Sequence, residues 1–272
     1  ARLSNTVLKF GEQVVNLPVL ATADTRLLPE TTQGWLLTSK EIPDLTLNAG
    51  HFTALRSRDQ SEHDSGGLTS LDLIGGSYNF NKAFSARAYH SDVQDYWRKY
   101  YLGATLVLPI NDRYAAKFDF NGYDTRSQGA QRAGDLDNRI WSLSATLAAG
   151  PHSFMLAHQR VSGTGNYTYG VDGNSTVFLA NSVQYSDFNY ENERSWQARY
   201  DFDFVALGVP GLSVMARYLR GTGFHTAQTD DGRAWERDLE LRYVVQSGTA
   251  KDLSFRVRQA SFRSPDRGLN FN

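Results

Sequence analysis

The sequence has no cysteine and no long apolar run, and both absences exclude classes of protein. Without cysteine among its 272 residues, the chain can form neither a disulfide framework nor a thiolate metal site. A membrane-spanning helix needs about 20 consecutive apolar residues, and no run of that length is present. The mean hydropathy of the chain is −0.46, which is too polar for a helical membrane protein. That class is therefore excluded. A β-barrel wall is not, because it hides its lipid-facing residues at every second position.

The chain also lacks an excess of charge of either sign. Its 28 basic and 29 acidic residues leave a formal net charge of −1. This balance gives no overall electrostatic attraction to nucleic acid, so we expect no nucleic-acid partner. Basic and acidic residues can still be concentrated in different parts of the structure, and only the local sequence pattern can indicate where each sign lies.

Apolar and polar residues alternate in many segments, as they do in strands with one apolar and one charged face. In residues 195–204, Trp, Ala, Tyr, Phe and Phe take one set of alternate positions, and Ser, Gln, Arg, Asp and Asp the other. Soluble sandwiches also alternate, but the recurrence of the pattern and the Arg and Asp in mid-strand favour a barrel. The pattern predicts an all-β chain with about thirteen strands, near 2–10, 34–42, 45–54, 70–79, 83–91, 97–109, 114–123, 139–149, 152–160, 195–204, 212–220, 236–246 and 252–263.

The connections between these strands alternate in length. Tight turns are predicted around 81–82, 111–113, 149–151 and 247–250, whereas long polar stretches fill 11–33, 55–69, 124–138, 161–194 and 221–235. Short turns at one rim and long loops at the other are typical of an outer-membrane barrel. No helical period or linker interrupts the run, so we predict one domain over residues 1–272.

Several segments carry a resemblance that spans nearly the whole chain and keeps its order. They are DTRLLPET at 24–31, LTLNAGHFT at 45–53, ANSVQYSDF at 180–188, and shorter matches at 237–239, 243–248 and 256–259. In these segments the chain resembles the OprD family of outer-membrane carboxylate channels, the Occ porins of Pseudomonas-type bacteria. The resemblance implies a monomeric transmembrane antiparallel β-barrel of eighteen strands. It also implies a ladder of lumenal arginines facing an acidic region, and two inward-folded loops at the constriction, here near 11–33 and 161–194.

The strand count departs from the family pattern. Single-chain bacterial barrels have an even number of strands, and a sheet of about thirteen leaves open edges that lipid cannot satisfy. We therefore expect the chain to be an internal portion of a longer protein, without its first strands and its closing strand. The barrel domain would then be incomplete at both ends.

Arginines on the polar face of the late strands are the main candidates for substrate binding. Guanidinium groups are permanently charged forks that fit carboxylates, and a series of them passes an anion along without a deep energy well. The alternative is that these charges pair with acidic residues of the same face and stiffen the wall; both can hold. The candidates are Arg199, Arg217, Arg242, Arg256 and Arg258, with Asp119, Asp201, Asp203 and Glu240 as acidic neighbours.

Two further candidate pairs lie in the long loops. Asp24 and Arg26 follow an apolar stretch that is unusual for a solvated loop tip, so an inward fold would place them at the narrowest point. The alternative is an Asx-type turn capped by Arg26. Tyr185 and Asp187 follow the apolar run at 177–180, which predicts a packed loop in which Asp187 binds the ammonium end of an amino-acid substrate.

Signals for catalysis and for cofactors are absent from the sequence. The six histidines show no metal-binding spacing, and nothing assigns the roles of nucleophile and acid to the Asp201 and Asp203 pair. We predict that the protein is not an enzyme and has neither a cofactor nor a metal site.

The sequence predicts an outer-membrane porin for passive uptake of small carboxylate-bearing solutes, such as basic amino acids and aromatic or other organic acids. Its apolar face would contact outer-membrane lipid or lipopolysaccharide. A soluble all-β carbohydrate-binding or glycan-processing protein remains the alternative, because tryptophans, tyrosines and an aspartate pair also suit that class.

Overall fold

The structure, a computed structural model, describes residues 1–267 and 269–271, and nearly all of its regular elements are strands. Only two short 3₁₀ helices occur among these residues, Phe204–Leu207 and Pro265–Arg267. None of the helices in the described ranges is long and apolar enough to cross a bilayer. The strands are β1 (Arg2–Leu3), β2 (Thr6–Gln13), β3 (Asn16–Leu17), β4 (Leu20–Ala21), β5 (Thr31–Ser39), β6 (Leu45–Arg56), β7 (Leu71–Asn79), β8 (Phe84–Val93), β9 (Trp97–Pro109), β10 (Tyr114–Ser127), β11 (Asp137–Ala149), β12 (His152–Thr164), β13 (Arg194–Asp203), β14 (Leu212–Phe224), β15 (Gly232–Val244), β16 (Ser254–Ser264) and β17 (Leu269–Phe271).

Each predicted strand segment contains a long strand, but several strands extend further toward the long loops. β10 continues to Ser127 rather than 123, β12 to Thr164 rather than 160, and β15 begins at Gly232 rather than 236. Hydropathy alternation ends where side chains leave an apolar surrounding, whereas backbone pairing continues through polar residues. At the other rim β5 ends at Ser39 rather than 42, because Glu41 turns back to accept hydrogen bonds from residues 4–6.

The strands form a meander in which nearly every strand pairs with the next one along the chain. The main sheet has the order β1-β2-β5 and then β6 to β17 in sequence, while β3 and β4 form a separate two-stranded sheet within residues 11–33. Asx turns close two of the short connections, since the carboxamide oxygen of Asn81 accepts from the N–H groups of Ala83 and Phe84. Asn111 does the same for Arg113 and Tyr114. Short polar turns with a side chain that mimics the backbone thus join the strands at this rim.

The chain divides into two compact units. Unit 1 comprises residues 1–105, 120–141 and 161–178, and unit 2 comprises 106–119, 142–160 and 179–272. In unit 1 several apolar residues of the long loop at 11–33, among them Val15, Val19 and Leu20, are buried. In unit 2 a buried cluster joins the loop residue Phe188 to the strand residues Leu219, Phe224, Ala234 and Phe262. The prediction of a single domain over 1–272 stays a prediction.

The two faces of the strands have different surroundings, as the alternation predicts. Trp196 is 62% exposed and Val257 68% exposed on the apolar face. Ser195 and Gln197, which point to the other face beside Trp196, are buried under the loop that precedes β13. The apolar side chains therefore face outward, and the loop that precedes β13 packs against the polar face.

Candidate functional site

The polar face of β13 to β16 in unit 2 brings the five candidate arginines into adjacent rows. The register sets Arg199 opposite Arg217 and Arg242 opposite Arg256. Like charges directly across a strand pair repel one another. Carboxylates of the protein, or anions from outside, therefore stabilise this wall where they neutralise the guanidinium groups.

Two of the arginines are neutralised by a carboxylate of their own. Arg199 donates from Nε and Nη2 to the two carboxylate oxygens of Asp201, at 2.8 and 2.7 Å. Arg217 Nε lies 2.6 Å from Asp238 Oδ2, and the two side chains are only 14% and 4% exposed. A buried ion pair of this kind holds the two strands together. This agrees with the alternative in which the arginines pair with acidic residues of the same face and stiffen the wall.

The other three arginines are neutralised only in part, and we call Arg242, Arg256 and Arg258 the open arginines. Arg256 and Arg258 share Glu240, each at 3.5 Å, and are 43% and 46% exposed. Arg242 donates to the Ser254 hydroxyl at 3.2 Å and makes no ion pair with any residue that the structure describes. Two guanidinium groups therefore share one carboxylate and the third has none in the described ranges, which leaves positive charge in excess among the open arginines.

A cavity of about 370 Å³ lies beside this group. Arg242, Glu240, Arg199 and Asp201 line it, together with Ser153, Ser213 and Met215. Its size falls within the range of small-molecule sites. Asp203 also lines it, so the recess carries two arginines and three carboxylates, and it offers groups of both charge signs to a polar solute.

The loop segment at 179–194 is bound to the same wall by buried side chains. Glu236 is fully buried and accepts the N–H groups of Tyr185 and Ser186 at 2.7 and 2.9 Å. Gln159, also buried, accepts from the N–H of Asn181 and donates to the carbonyl of Phe188. The segment is therefore a packed loop rather than a solvated one.

The candidate residues of this segment have defined surroundings. Tyr185 is 46% exposed, and its ring centroid lies 4.9 Å from that of Phe262. Asp187 is partly exposed and accepts from the Ser182 hydroxyl at 2.5 Å. One carboxylate oxygen of Asp187 therefore contributes to holding the loop. Arg258 reaches the same segment, donating to Gln184 Oε1 at 2.7 Å.

The loop at 11–33 presents its candidate pair at the surface of unit 1. Asp24 and Arg26 are both exposed, and neither side chain makes a hydrogen bond or ion pair within the described part of the chain. The Asx-turn alternative therefore has no hydrogen bond to support it. An inward fold would bury the apolar stretch that precedes this pair, yet within that stretch Val14 is 55% exposed, whereas Val15 is 2% exposed.

Sequence reasoning missed the residues that fasten the loops in unit 1. Glu30 is fully buried, and its Oε2 accepts the N–H groups of Ala23 and Asn174 at 2.8 and 2.9 Å. Lys99 pairs with Asp172 at 2.6 Å, with both side chains inaccessible to solvent. The available signal was Lys99 itself, a cation in the middle of a strand on the face it shares with Trp97 and Tyr101.

Comparison with known proteins decides the family. The model of the OprD family of outer membrane porins matches residues 1–271. The chain belongs to the OprD family. It is 42% identical to Porin D of Pseudomonas aeruginosa, over 97% of this chain and 66% of Porin D. The chain thus spans slightly less than two thirds of the length of that relative.

Solved structures of this family have the same fold. The crystal structure of Pseudomonas aeruginosa OpdK with vanillate has a TM-score of 0.90 and 32% identity, and the match covers 97% of this chain and 71% of OpdK. Pseudomonas aeruginosa OccK2 in complex with glucuronate has a TM-score of 0.88 and 37% identity, with 97% and 74% covered. The predicted fold class, an antiparallel transmembrane β-barrel, is therefore confirmed.

Membership of the OprD family also confirms the predicted location in the bacterial outer membrane and the general class of porin. It decides against the soluble carbohydrate-binding alternative. The relatives are channels rather than enzymes. None of the described residues form a cluster of three or more metal-ligating side chains.

Proposed function

We propose that this chain lines a substrate-selective channel for passive uptake of small carboxylate-bearing solutes, with the open arginines as the carboxylate-binding groups. These three arginines carry the proposal because Arg256 and Arg258 share a single carboxylate, that of Glu240, and Arg242 pairs with none among the residues that the structure describes, so positive charge is in excess among them. Arg199 and Arg217 already hold a carboxylate at hydrogen-bond distance. Those two stiffen the wall rather than bind substrate directly.

The distances between the open arginines and Glu240 favour passage of a solute over its tight binding. At 3.5 Å from Glu240, the Arg256 and Arg258 guanidinium groups are more weakly paired than Arg217 at 2.6 Å. A passing carboxylate can displace such a pairing without breaking a buried ion pair. Adjacent sites of moderate strength let a solute enter and leave, whereas one strong site would trap it.

The chemistry of the solved relatives supports the substrate class. Vanillate and glucuronate, with which OpdK and OccK2 were crystallised, are both carboxylates. Aromatic and sugar acids, together with basic amino acids, are thus the first solutes to test for this chain.

The long loops complete the proposal. Residues 11–33 and 161–194 fold inward within a single monomeric barrel domain, and each loop supplies substrate-binding residues, Asp24 and Arg26 from the first and Tyr185 and Asp187 from the second. Asp187, on the packed loop beside the arginine wall, binds the ammonium group of amino-acid substrates. The outer face contacts outer-membrane lipid or lipopolysaccharide.

The test compares Arg256→Gln/Arg258→Gln with Arg126→Gln/Arg139→Gln. The second pair removes the same charge from the outer face of β10 and β11, where both arginines contact Asp124. Reversal potentials in planar bilayers and uptake of vanillate, glucuronate and arginine into liposomes are the measurements. We expect the first variant to lose most carboxylate uptake and to become more permeable to cations, while the second behaves as the parent. Equal uptake and ion selectivity in both variants would contradict the proposal.

A further inference from the structure

The outward face of β12 to β15 carries a group of arginines near the long-loop ends of these strands. Arg160, Arg194, Arg220 and Arg237 are all exposed, and none makes an ion pair with a carboxylate in the described ranges. We call these four the rim arginines. They lie on the same strand faces as the exposed Trp196 and Tyr218.

The register brings the rim arginines close to one another and to aromatic rings. Arg160 is directly opposite Arg194, and Arg220 lies between Trp196 and Trp235 on the neighbouring strands. Side chains directly opposite on adjacent strands have Cβ atoms about 5 Å apart, where like charges repel. A repulsive pair such as Arg160 and Arg194 becomes favourable when an anion binds between the two guanidinium groups.

Outward-facing arginines in unit 1 are neutralised by the protein itself. Arg98 contacts Asp92 at 2.8 Å, and Arg126 and Arg139 contact Asp124 at 3.0 and 2.9 Å. In unit 2, Arg233, which is not one of the rim arginines, forms an ion pair with Asp231 at 3.3 Å. The unneutralised charge on the outer face of unit 2 is therefore a local property of the rim arginines, not a general feature of this barrel rim.

An apolar groove adjoins the rim arginines on the side away from the long loops. Ala198 and Ala216 are small residues among larger ones, and they leave a groove of about 580 Å³ whose lining includes Arg237. The remaining apolar wall comes from Phe154, Leu156, Tyr200, Tyr218 and Leu239. A cationic end and a hydrocarbon floor thus occur within one continuous surface.

We propose that this surface binds lipopolysaccharide, with its phosphate groups on the rim arginines and an acyl chain in the alanine groove. The inference deepens the proposed contact of the outer face with lipid and rests on it. Long loops mark the extracellular rim of outer-membrane barrels, so the rim arginines face the leaflet that contains this lipid. Arginine forks match phosphate oxygens in pairs, and tryptophans at this level are typical of the membrane interface.

The experiment measures binding of bisphosphorylated lipid A, and of lipid A from which both phosphates have been removed, to the folded protein in detergent by native mass spectrometry. The variants are Arg194→Gln/Arg220→Gln and the control Arg126→Gln/Arg139→Gln. An arginine near an anionic membrane surface contributes about 1 kcal/mol, so we expect the first variant to bind bisphosphorylated lipid A roughly tenfold to thirtyfold more weakly. The control should bind as the parent does, and dephosphorylated lipid A should bind weakly to all three proteins.

Parent-like binding by Arg194→Gln/Arg220→Gln, an equal loss in the control, or equally strong binding of dephosphorylated lipid A would each overturn the proposal. Heat-modifiable gel mobility reports whether each variant is folded. If the double variant fails to fold, the single variants Arg220→Gln and Arg237→Gln test the proposal instead. Each is expected to bind bisphosphorylated lipid A about fivefold more weakly than the parent. Bilayer conductance and carboxylate uptake of the double variant should equal those of the parent. Binding and transport are thus read separately, and failure of one proposal leaves the other measurable.

Discussion

Lys99 Nζ lies 2.6 Å from Asp172 Oδ2, and neither side chain is accessible to solvent. Lys99 belongs to the strand wall and Asp172 to the loop that follows β12. The other carboxylate oxygen of Asp172 accepts from the Thr176 hydroxyl and the N–H of Gly170. One carboxylate thus organises the loop, and one lysine fixes that loop to the wall.

The first prediction concerns this pair. Lys99→Met leaves the Asp172 carboxylate buried without its counter-charge, so we expect the free energy of unfolding to fall by about 3–5 kcal/mol. Urea unfolding of the protein in lipid vesicles measures this free energy. Lys99→Met/Asp172→Asn removes the uncompensated charge and keeps an oxygen for Thr176, so it should recover part of the loss. A double variant less stable than Lys99→Met would contradict this account of the pair.

The second prediction concerns the contact between the two long loops in unit 1. Glu30→Gln replaces a carboxylate that accepts from the N–H groups of Ala23 and Asn174 and from the Asn174 side chain. The amide can accept with only one oxygen and turns a donor toward another donor, so we expect a loss of about 1–3 kcal/mol of stability. Glu62→Gln, at an exposed position, is the matched control and should leave stability unchanged. The same unfolding assay compares the two, and equal stabilities would show that the buried carboxylate does not hold the loops.

The third prediction concerns pH and the short turn after β5. Hydrogen bonds from Thr6 and then Ser4 lower the pKa of Glu41 below its ordinary value. A carboxyl group with a lowered pKa in the folded state stabilises the fold above its unfolded pKa and loses this contribution as the pH falls through its folded pKa. The N–H of Asn5, which donates to Glu41 at 2.8 Å, should therefore lose hydrogen-exchange protection in acid. In Glu41→Gln the protection of Asn5 should be independent of pH over the same range; an unchanged pH dependence would remove Glu41 as its cause.

The strands and their faces could be predicted from the sequence because alternation is a local property. Trp196 and Val257 are exposed on the apolar face, and Ser195 lies buried on the other, as the period of two requires. The long loops could not be predicted in this way. Val14 and Val15 are neighbours of equal hydropathy, yet one is exposed and the other buried, because in an irregular segment only the tertiary contacts decide.

The candidate arginines show the same division. Alternation placed Arg217 and Arg242 on the same polar face, but nothing in the pattern separates them. The register across β14 and β15 gives Arg217 the carboxylate of Asp238, whereas Arg242 faces Arg256. Whether an arginine stiffens the wall or is available to an anion therefore depends on its cross-strand partner.

The sequence by itself determined the strand period, the two faces, the alternation of short turns with long loops and the resemblance to the family, since all of these depend on neighbouring residues or on ordered segments. Only the tertiary structure decided which charges are neutralised. Lys99 and Asp172 are 73 residues apart, and their pairing depends on where a loop without a regular pattern packs against the wall. Ion pairing requires proximity within a few ångströms, which chain order alone does not specify.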